Sequence, residues 1–329
     1  MDKVRIGVVG IGKMGRFHVQ AYSSLKHICE LVGLYDIEQQ RSEQAASEYG
    51  TRAFTSLDSL LREVDAVTIA TPTSRHSEVA MAAIKNGVHI LVEKPITNHL
   101  AEAQSIMQAA IKKGLILQVG HIERFNPAIQ ELPNVLEGQD IIAISGERLS
   151  PYDPRIDDTD VIQDLMIHDI DIVRALGASP ISSIKASGRR INSHDLIDYA
   201  VTLISFENGI IATLTASRVT EKTVRKLQIS TTSSFVELDY FNRKLTVSRR
   251  KAPANELAVP SYDEDRSIEK VFIPQEDALT AQLKHFLSCV SHDTKPLIDG
   301  RDGLEALRLT KEIQNKIYTI AEDSSELAY

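Results

Sequence analysis

A chain of 329 residues, 43% hydrophobic and 25% charged, is too long for one ordinary core and has the composition of a globular protein with two domains. Its 37 basic and 45 acidic side chains leave a net charge of −8, which gives no support to a nucleic acid or an anionic membrane as partner. Cys29 and Cys289 match no metal spacing, so no metal is expected; both read as reduced thiols of a cytoplasmic protein, with no leader before the first strand and no run near a membrane span.

The first expected strand, Val4 to Val9, runs straight into Gly10-Ile11-Gly12-Lys13-Met14-Gly15. Glycine lets a backbone turn tightly against a pyrophosphate, and a helix starting near Lys13 would point its free N–H groups and positive dipole end at that phosphate. A second strand, Leu31 to Tyr35, ends at Asp36, about 20 residues beyond the last glycine, where a carboxylate holds a ribose diol and repels a 2′-phosphate. The expected cofactor is therefore NAD rather than NADP, with Arg41 the one feature pulling the other way. Then follow a helix over Glu38 to Glu48, a short strand at Ala53-Phe54, and Ser56 as the N-cap of Leu57 to Leu61. Next come a strand at Ala66 to Ala70, a helix at Glu78 to Asn86, a strand at His89 to Val92, a helix at Ala101 to Lys113 and a strand at Leu115 to Val119. This alternation predicts a doubly wound parallel sheet that binds its ligand at the carboxyl ends of the strands.

The pattern changes near His121, which sets the expected domains at 1–121 and 122–329. From Ile141 the chain turns β-rich, with strands at Ile141 to Leu149, Ile181 to Arg190, Tyr199 to Phe206, Ile210 to Ser217, Val224 to Ser230, Phe235 to Leu238 and Leu245 to Arg249. Glu207-Asn208-Gly209 reads as a hairpin turn and Lys251 to Arg266 as a loop. The fold class is α/β: an N-terminal Rossmann sheet joined to a C-terminal α+β domain with a large, mostly antiparallel open sheet. One apolar helix, Val161 to Leu176, is inserted early, and two helices, Ala278 to Ser291 and Gly303 to Ile320, close the chain and are expected back near the interdomain region.

Glu93-Lys94-Pro95 follows the strand His89 to Val92. A lysine there reaches the mouth of the cleft, where an ammonium holds a substrate hydroxyl or, with a depressed pKa, takes its proton; by itself such a residue is far more often a solvated loop lysine. The inserted helix adds Asp160, Asp164, His168 and Asp171 at spacings of four, four and three. At about 100° per residue these fall within roughly 80° of arc, a polar stripe on an apolar helix. An imidazole flanked by carboxylates suits acid–base work at a hydroxyl, although the stripe would also serve as a salt-bridge network.

These motifs, with Ala70-Thr71-Pro72, His76 and Asp164-x-x-x-His168-Asp169-x-Asp171, resemble in order and spacing the glucose-fructose oxidoreductase / inositol dehydrogenase / MocA-type dehydrogenases over essentially the whole chain. The resemblance implies that Lys94, His168 and Asp164 line the reacting carbon, that Pro95 follows a cis bond, and that Thr71, Pro72, His76 and Glu93 touch the cofactor. The full cofactor set is then Gly10, Gly12, Lys13, Met14, Gly15, Asp36, Ile37, Thr71, Pro72, His76, Glu93 and Lys94. It also implies that the sheet face mediates a homodimer or homotetramer.

Two stretches, Val119 to Pro127 and Thr215 to Val219 followed by Arg225-Lys226-Leu227, resemble the branch of that family that oxidises UDP-N-acetylglucosamine at C3 for a partner aminotransferase. The expected substrate is a sugar or nucleotide sugar, held by His121, Arg124, Asn126 and Arg155, with Arg148 and Arg218 as further guanidinium candidates for its pyrophosphate. The alternatives are an inositol or free-sugar dehydrogenase of the same family, and a NAD(H)-binding sensor or scaffold without turnover.

Overall fold

The computed structural model describes residues 3–154, 156, 158–192, 195–250 and 266–326, and the chain divides into two compact units. In the first, strands β1 (Val4–Val9), β2 (Cys29–Tyr35), β3 (Arg52–Ala53), β4 (Ala66–Ile69), β5 (His89–Glu93) and β6 (Leu117–Gly120) form one parallel sheet in the order β3-β2-β1-β4-β5-β6. Helices α1 (Lys13–Ser24), α2 (Gln39–Tyr49), α3 (Leu57–Leu61), α4 (His76–Lys85) and α5 (Leu100–Lys112) make the crossovers. The strands read as near-continuous apolar runs because both faces are covered. Val4, Ile6 and Val8 of β1 join one core cluster with Val19 and Tyr22 of α1, while Val9 joins the opposite cluster with Val67, Ile69, Ile90 and Val92. Ser56 caps α3 as expected, its hydroxyl accepting from the Ser59 amide at 3.2 Å. Strand order reverses between β1 and β4, so their carboxyl ends open the crevice where such sheets bind ligands.

The second unit is built on an eight-stranded sheet: β7 (Ile141–Leu149), β8 (Ile181–Arg189), β9 (Tyr199–Phe206), β10 (Ile211–Ser217), β11 (Val224–Thr231), β12 (Ser234–Asp239), β13 (Lys244–Arg250) and β14 (Arg266–Val271). Their order is β14-β13-β12-β11-β7-β10-β9-β8, antiparallel except where β7 and β10 run parallel. Gly209 takes φ +90° in the hairpin between β9 and β10, whose turn Asn208 ties to the Gly177 carbonyl. Strand β14 was not anticipated. It is a charged edge strand with little apolar alternation to reveal it, and the rest of the expected loop at 251–266 lies outside the described residues. Two short helices, α6 (Pro127–Gln130) and α7 (Leu132–Leu136), precede the sheet.

The helix expected over Val161 to Leu176 is in two parts, a π-helical segment Ile162–Met166 followed by α8 (Ile167–Gly177). Ile170 and Val173 of α8 pack in one cluster with Ile144, Leu214 and Leu227 of the sheet. The wider π turn breaks the 100° step on which a continuous stripe depends. Asp160 lies ahead of the helix rather than on its face. Its carboxylate caps the start, accepting from the amides of Ile162 and Gln163 at 3.1 and 3.0 Å.

Two helices remain, α9 (Ala278–His292) and α10 (Gly300–Glu326). The first unit holds Met1–Phe125 and Glu276–Arg308, and the second holds Asn126–Gln275 and Leu309–Tyr329. The first unit is thus not the single stretch 1–121. Leu279, Leu283, Phe286 and Leu287 of α9, spaced for one helix face, pack in the cluster that contains Val4, Ile6 and Val8.

Candidate active site

The glycine loop is fixed by backbone contact. At Gly10, φ +88°, a Cβ would meet the Thr71 nitrogen at 2.6 Å; at Gly15 it would meet the Gly10 carbonyl oxygen at 1.8 Å. Only glycine permits this turn to close on the end of β4 and the first turn of α1 to close on the loop. Gly12 is the N-cap of α1, with no side-chain cap and no acidic residue in the first turn, so the leading N–H groups remain for an anion. At the end of β2, Asp36 accepts from the Ile11 amide at 2.6 Å and the Glu38 amide at 2.8 Å. Its carboxylate therefore stands fixed beside the loop, followed by an exposed Ile37. Arg41, the feature that pulled toward NADP, pairs with Glu38 at 2.9 Å. The donor set, the uncapped helix and the fixed acid fit NAD.

The carboxyl ends of β4 and β5 are strapped together. His76 Nε2 lies 2.9 Å from the Thr71 carbonyl and Nδ1 lies 3.0 Å from the Pro95 carbonyl. Burial pulls the His76 pKa below the usual imidazole value, against the opposing effect of those two carbonyls. Pro95 follows a cis bond, as the resemblance implied. Lys94 is half-buried at the end of β5, and beside it Glu93 turns inward to pair with His18 Nε2 of α1 at 2.8 Å. Burial alone would raise the pKa of this carboxyl; the His18 hydrogen bond and the nearby Lys94 and His76 outweigh it and hold the group ionised. A Cβ on Gly120 would touch the Glu93 carboxyl carbon at 3.0 Å, which explains a glycine there. Sequence reasoning missed His18, although its place one turn after Gly15 on the buried face of α1 is a readable signal.

Past β6, His121 is buried and Arg124 half-buried in a short 3₁₀ turn of the first unit. Asn126 opens the second unit, where its side-chain oxygen caps α6 by accepting from the Ala128 amide at 3.1 Å. That gives it a structural duty which the substrate reading did not foresee. Arg155 lies outside the described residues.

In the second unit the expected stripe is divided among separate partners. Asp160 also accepts from Gln314 at 2.8 Å and from the Tyr318 hydroxyl at 3.2 Å. Asp169 holds Arg148 in a buried two-pronged pair at 2.8 and 2.9 Å. Arg148 is thereby spent on the fold and is withdrawn as a pyrophosphate ligand. Arg225 likewise donates to the Leu149 carbonyl. Asp171 is fully buried. Asp164, in the π segment, and His168, in the first turn of α8, are both half-buried. Asp164 Oδ2 has Arg218 Nη2 at 3.8 Å. Among the described residues no cluster of His, Cys, Asp and Glu is arranged to hold a metal ion.

A doubly wound sheet with a phosphate loop and an acid ending β2, followed by an open, mostly antiparallel sheet, defines a two-domain NAD-binding oxidoreductase. Comparison with known proteins agrees. Residues 4–121 match the oxidoreductase family with a NAD-binding Rossmann fold, and residues 145–236 match the GFO/IDH/MocA C-terminal domain. The chain is 38% identical over 315 residues to the UDP-N-acetylglucosamine 3-dehydrogenase of Acidithiobacillus ferrooxidans, covering 95% of this chain and 97% of that one. A solved structure of GnnA, the enzyme of that name from the same organism, superposes with TM-score 0.89 at 35% identity over 96% of this chain and 98% of that chain. The scyllo-inositol 2-dehydrogenase (NAD(+)) of Bacillus subtilis is 28% identical over 318 residues, 92% of this chain and 90% of that one. A levoglucosan dehydrogenase in complex with NADH and levoglucosan, at 20% identity and TM-score 0.85 over 97% of this chain and 98% of that one, shares the fold. The chain belongs to the Gfo/Idh/MocA family and is a NAD-binding dehydrogenase acting on CH–OH groups.

Proposed function

We propose that this enzyme oxidises the C3 hydroxyl of UDP-N-acetylglucosamine to the 3-keto sugar nucleotide. The observation that carries the reading is the 38% identity, over nearly the whole of both chains, to an enzyme of that name, together with Lys94, Asp164 and His168 all present. Bound NAD supplies the hydride acceptor. The glycine loop and α1 hold the pyrophosphate of the cofactor, Asp36 its adenosine ribose, and the Thr71, Pro72, His76 and Glu93 segments border it. As the C–H bond breaks and C=O forms, the hydroxyl proton must go to a base. His168 takes it, and Lys94 donates to the same oxygen and polarises it. Asp164 fixes the imidazole or holds a neighbouring hydroxyl. With Arg148 engaged by Asp169, the proposal gives the substrate pyrophosphate to Arg124 and Arg155, with His121 and Asn126 beside them.

The retained catalytic set speaks against a sensor without turnover. Two buried free thiols agree with a reducing, cytoplasmic setting, and no helix among the described residues is long and apolar enough to cross a membrane. A homo-oligomer is supported by the apolar side chains Tyr199, Val201, Leu203 and Ile211, exposed on the open sheet. Incubation with NAD and a panel of nucleotide sugars and cyclitols tests the function by NADH absorbance. UDP-N-acetylglucosamine should reduce NAD while myo-inositol and glucose are far poorer; comparable turnover of myo-inositol promotes the inositol dehydrogenase reading instead.

A further inference from the structure

Arg218 follows directly on β10, and its guanidinium is 4% exposed. Nη1 makes one long hydrogen bond, to the Ile156 carbonyl at 3.4 Å. Nη2 lies 3.8 Å from Asp164 Oδ2, beyond hydrogen-bond reach, and has no hydrogen-bond partner among the described residues. A buried guanidinium donor left without an acceptor destabilises a fold, yet the backbone that carries this one is firmly tied. The Arg218 amide donates to the Asp198 carbonyl at 2.9 Å. The Ser217 hydroxyl meets Thr220 at 2.9 Å and accepts from the Val219 amide at 3.1 Å, locking the turn. Arg148 shows by contrast what a structural arginine in this unit does, since both arms of its guanidinium reach Asp169.

The neighbouring carboxylate decides which ligand suits such a donor. A pyrophosphate oxygen would be attracted by Arg218 and repelled by Asp164 at nearly the same distance, so the pair makes a poor anion clamp. A neutral hydroxyl uses both groups, accepting from Nη2 and donating to Oδ2, and one oxygen can bridge two atoms 3.8 Å apart. A secondary amide cannot do so, because its N–H and C=O point in opposite directions. The proposed mechanism sets Asp164 beside His168, so a hydroxyl held at Asp164 neighbours the one His168 deprotonates. We propose that Arg218 and Asp164 together bind the hydroxyl on the carbon adjacent to the oxidised one, and that Arg218 is a specificity-determining residue for that group rather than a phosphate ligand. This rests on the C3 reading above, under which the bridged group is the 4-hydroxyl, since C2 carries the acetamido group.

The test pairs a variant with a substrate analogue. Wild-type kcat/KM is measured with UDP-N-acetylglucosamine and with its 4-deoxy analogue, then again in Arg218→Met. Loss of a hydrogen bond to a charged group is worth about 10- to 150-fold, so wild type should prefer the hydroxylated substrate by that factor. In Arg218→Met the preference should collapse toward parity, because the contact is already gone. Arg218→Lys, which keeps a donor, should retain part of it, and covers the case in which the methionine variant folds poorly. The dependence of KM on salt should be unchanged in Arg218→Met. A preference that survives in full while both substrates slow equally makes Arg218 a structural residue and overturns the proposal. Lost salt dependence overturns it too, by placing Arg218 on the pyrophosphate. Should wild type turn over myo-inositol instead, the C3 reading fails, and the same ratio taken with inositol and its vicinal deoxy analogue decides on Arg218.

Discussion

Asp36 carries the cofactor reading at the scale of single residues. Both of its oxygens are engaged by backbone amides, which holds the carboxylate in place to repel a 2′-phosphate under the proposed reading. Asp36→Ala should narrow the preference for NAD over NADP in fluorescence titrations, and tighter NADP binding by wild type would refute the assignment. In the proposed mechanism Lys94 and His168 carry the chemistry. Loss of general acid–base assistance typically costs about 10²–10⁴ in rate, so Lys94→Ala and His168→Ala should each lower kcat by that order while NAD still binds, because the proposal assigns the other end of the cofactor to the glycine loop and Asp36. Near-wild-type turnover by His168→Ala from pH 6 to 9 would return the helix to a purely structural reading. Much of this was legible because it depends on local order, as with a strand, three glycines, a helix start and an acid at a fixed distance. The pairing of His18 with Glu93 was not, since it joins residues 75 apart in sequence that only the folded sheet brings together.

Among the elements, the π segment before α8 is where reading by periodicity failed, for a clear reason. The spacing of Asp160, Asp164, His168 and Asp171 fits a uniform helix, but a wider turn leaves the residue pattern almost unchanged while altering every angle before it. The clue lies at the N-terminus, where Asp160 suits a cap, and its remaining partners, Gln314 and Tyr318, come from the far end of the chain. Burial and then the Asp160 charge push the Tyr318 hydroxyl up to about 12, so it stays a donor at all working pH values. Asp160→Ala removes an N-cap, worth about 0.5–2 kcal/mol, and also leaves Gln314 and Tyr318 without this acceptor. Thermal unfolding should show a lower Tm, and kcat should fall through the displaced Asp164 and His168 with the KM for NAD unchanged. An unaltered kcat would mean that the cap does not position the site. By contrast, α3 and its Ser56 cap, and the turn at Gly209, stand where the sequence put them, because caps and tight turns are set by two or three adjacent residues.

For the whole molecule, His76, His89 and His285 all have pKa values lowered by burial below the ordinary 6.5. The unfolded chain therefore binds more protons than the folded one between those values and 6.5, so stability is complete above about pH 6.5 and drains away as pH falls. Glu93, held ionised in the fold, adds a further loss at still lower pH. Tm should decline from pH 7 to pH 5, and a flat profile would contradict these shifts. Assembly is tested on the open sheet, where Leu203→Asp should lower the mass seen by light scattering if that face joins copies; an unchanged oligomer excludes it. Neither unit alone identifies the carbon that is oxidised, and this is the central claim. Single-turnover reaction with UDP-N-acetylglucosamine carrying deuterium at C3 tests it most directly, read by mass spectrometry of the reduced nicotinamide. The account predicts that deuterium is transferred to the cofactor. Unlabelled NADH, with deuterium retained in the sugar, would contradict it.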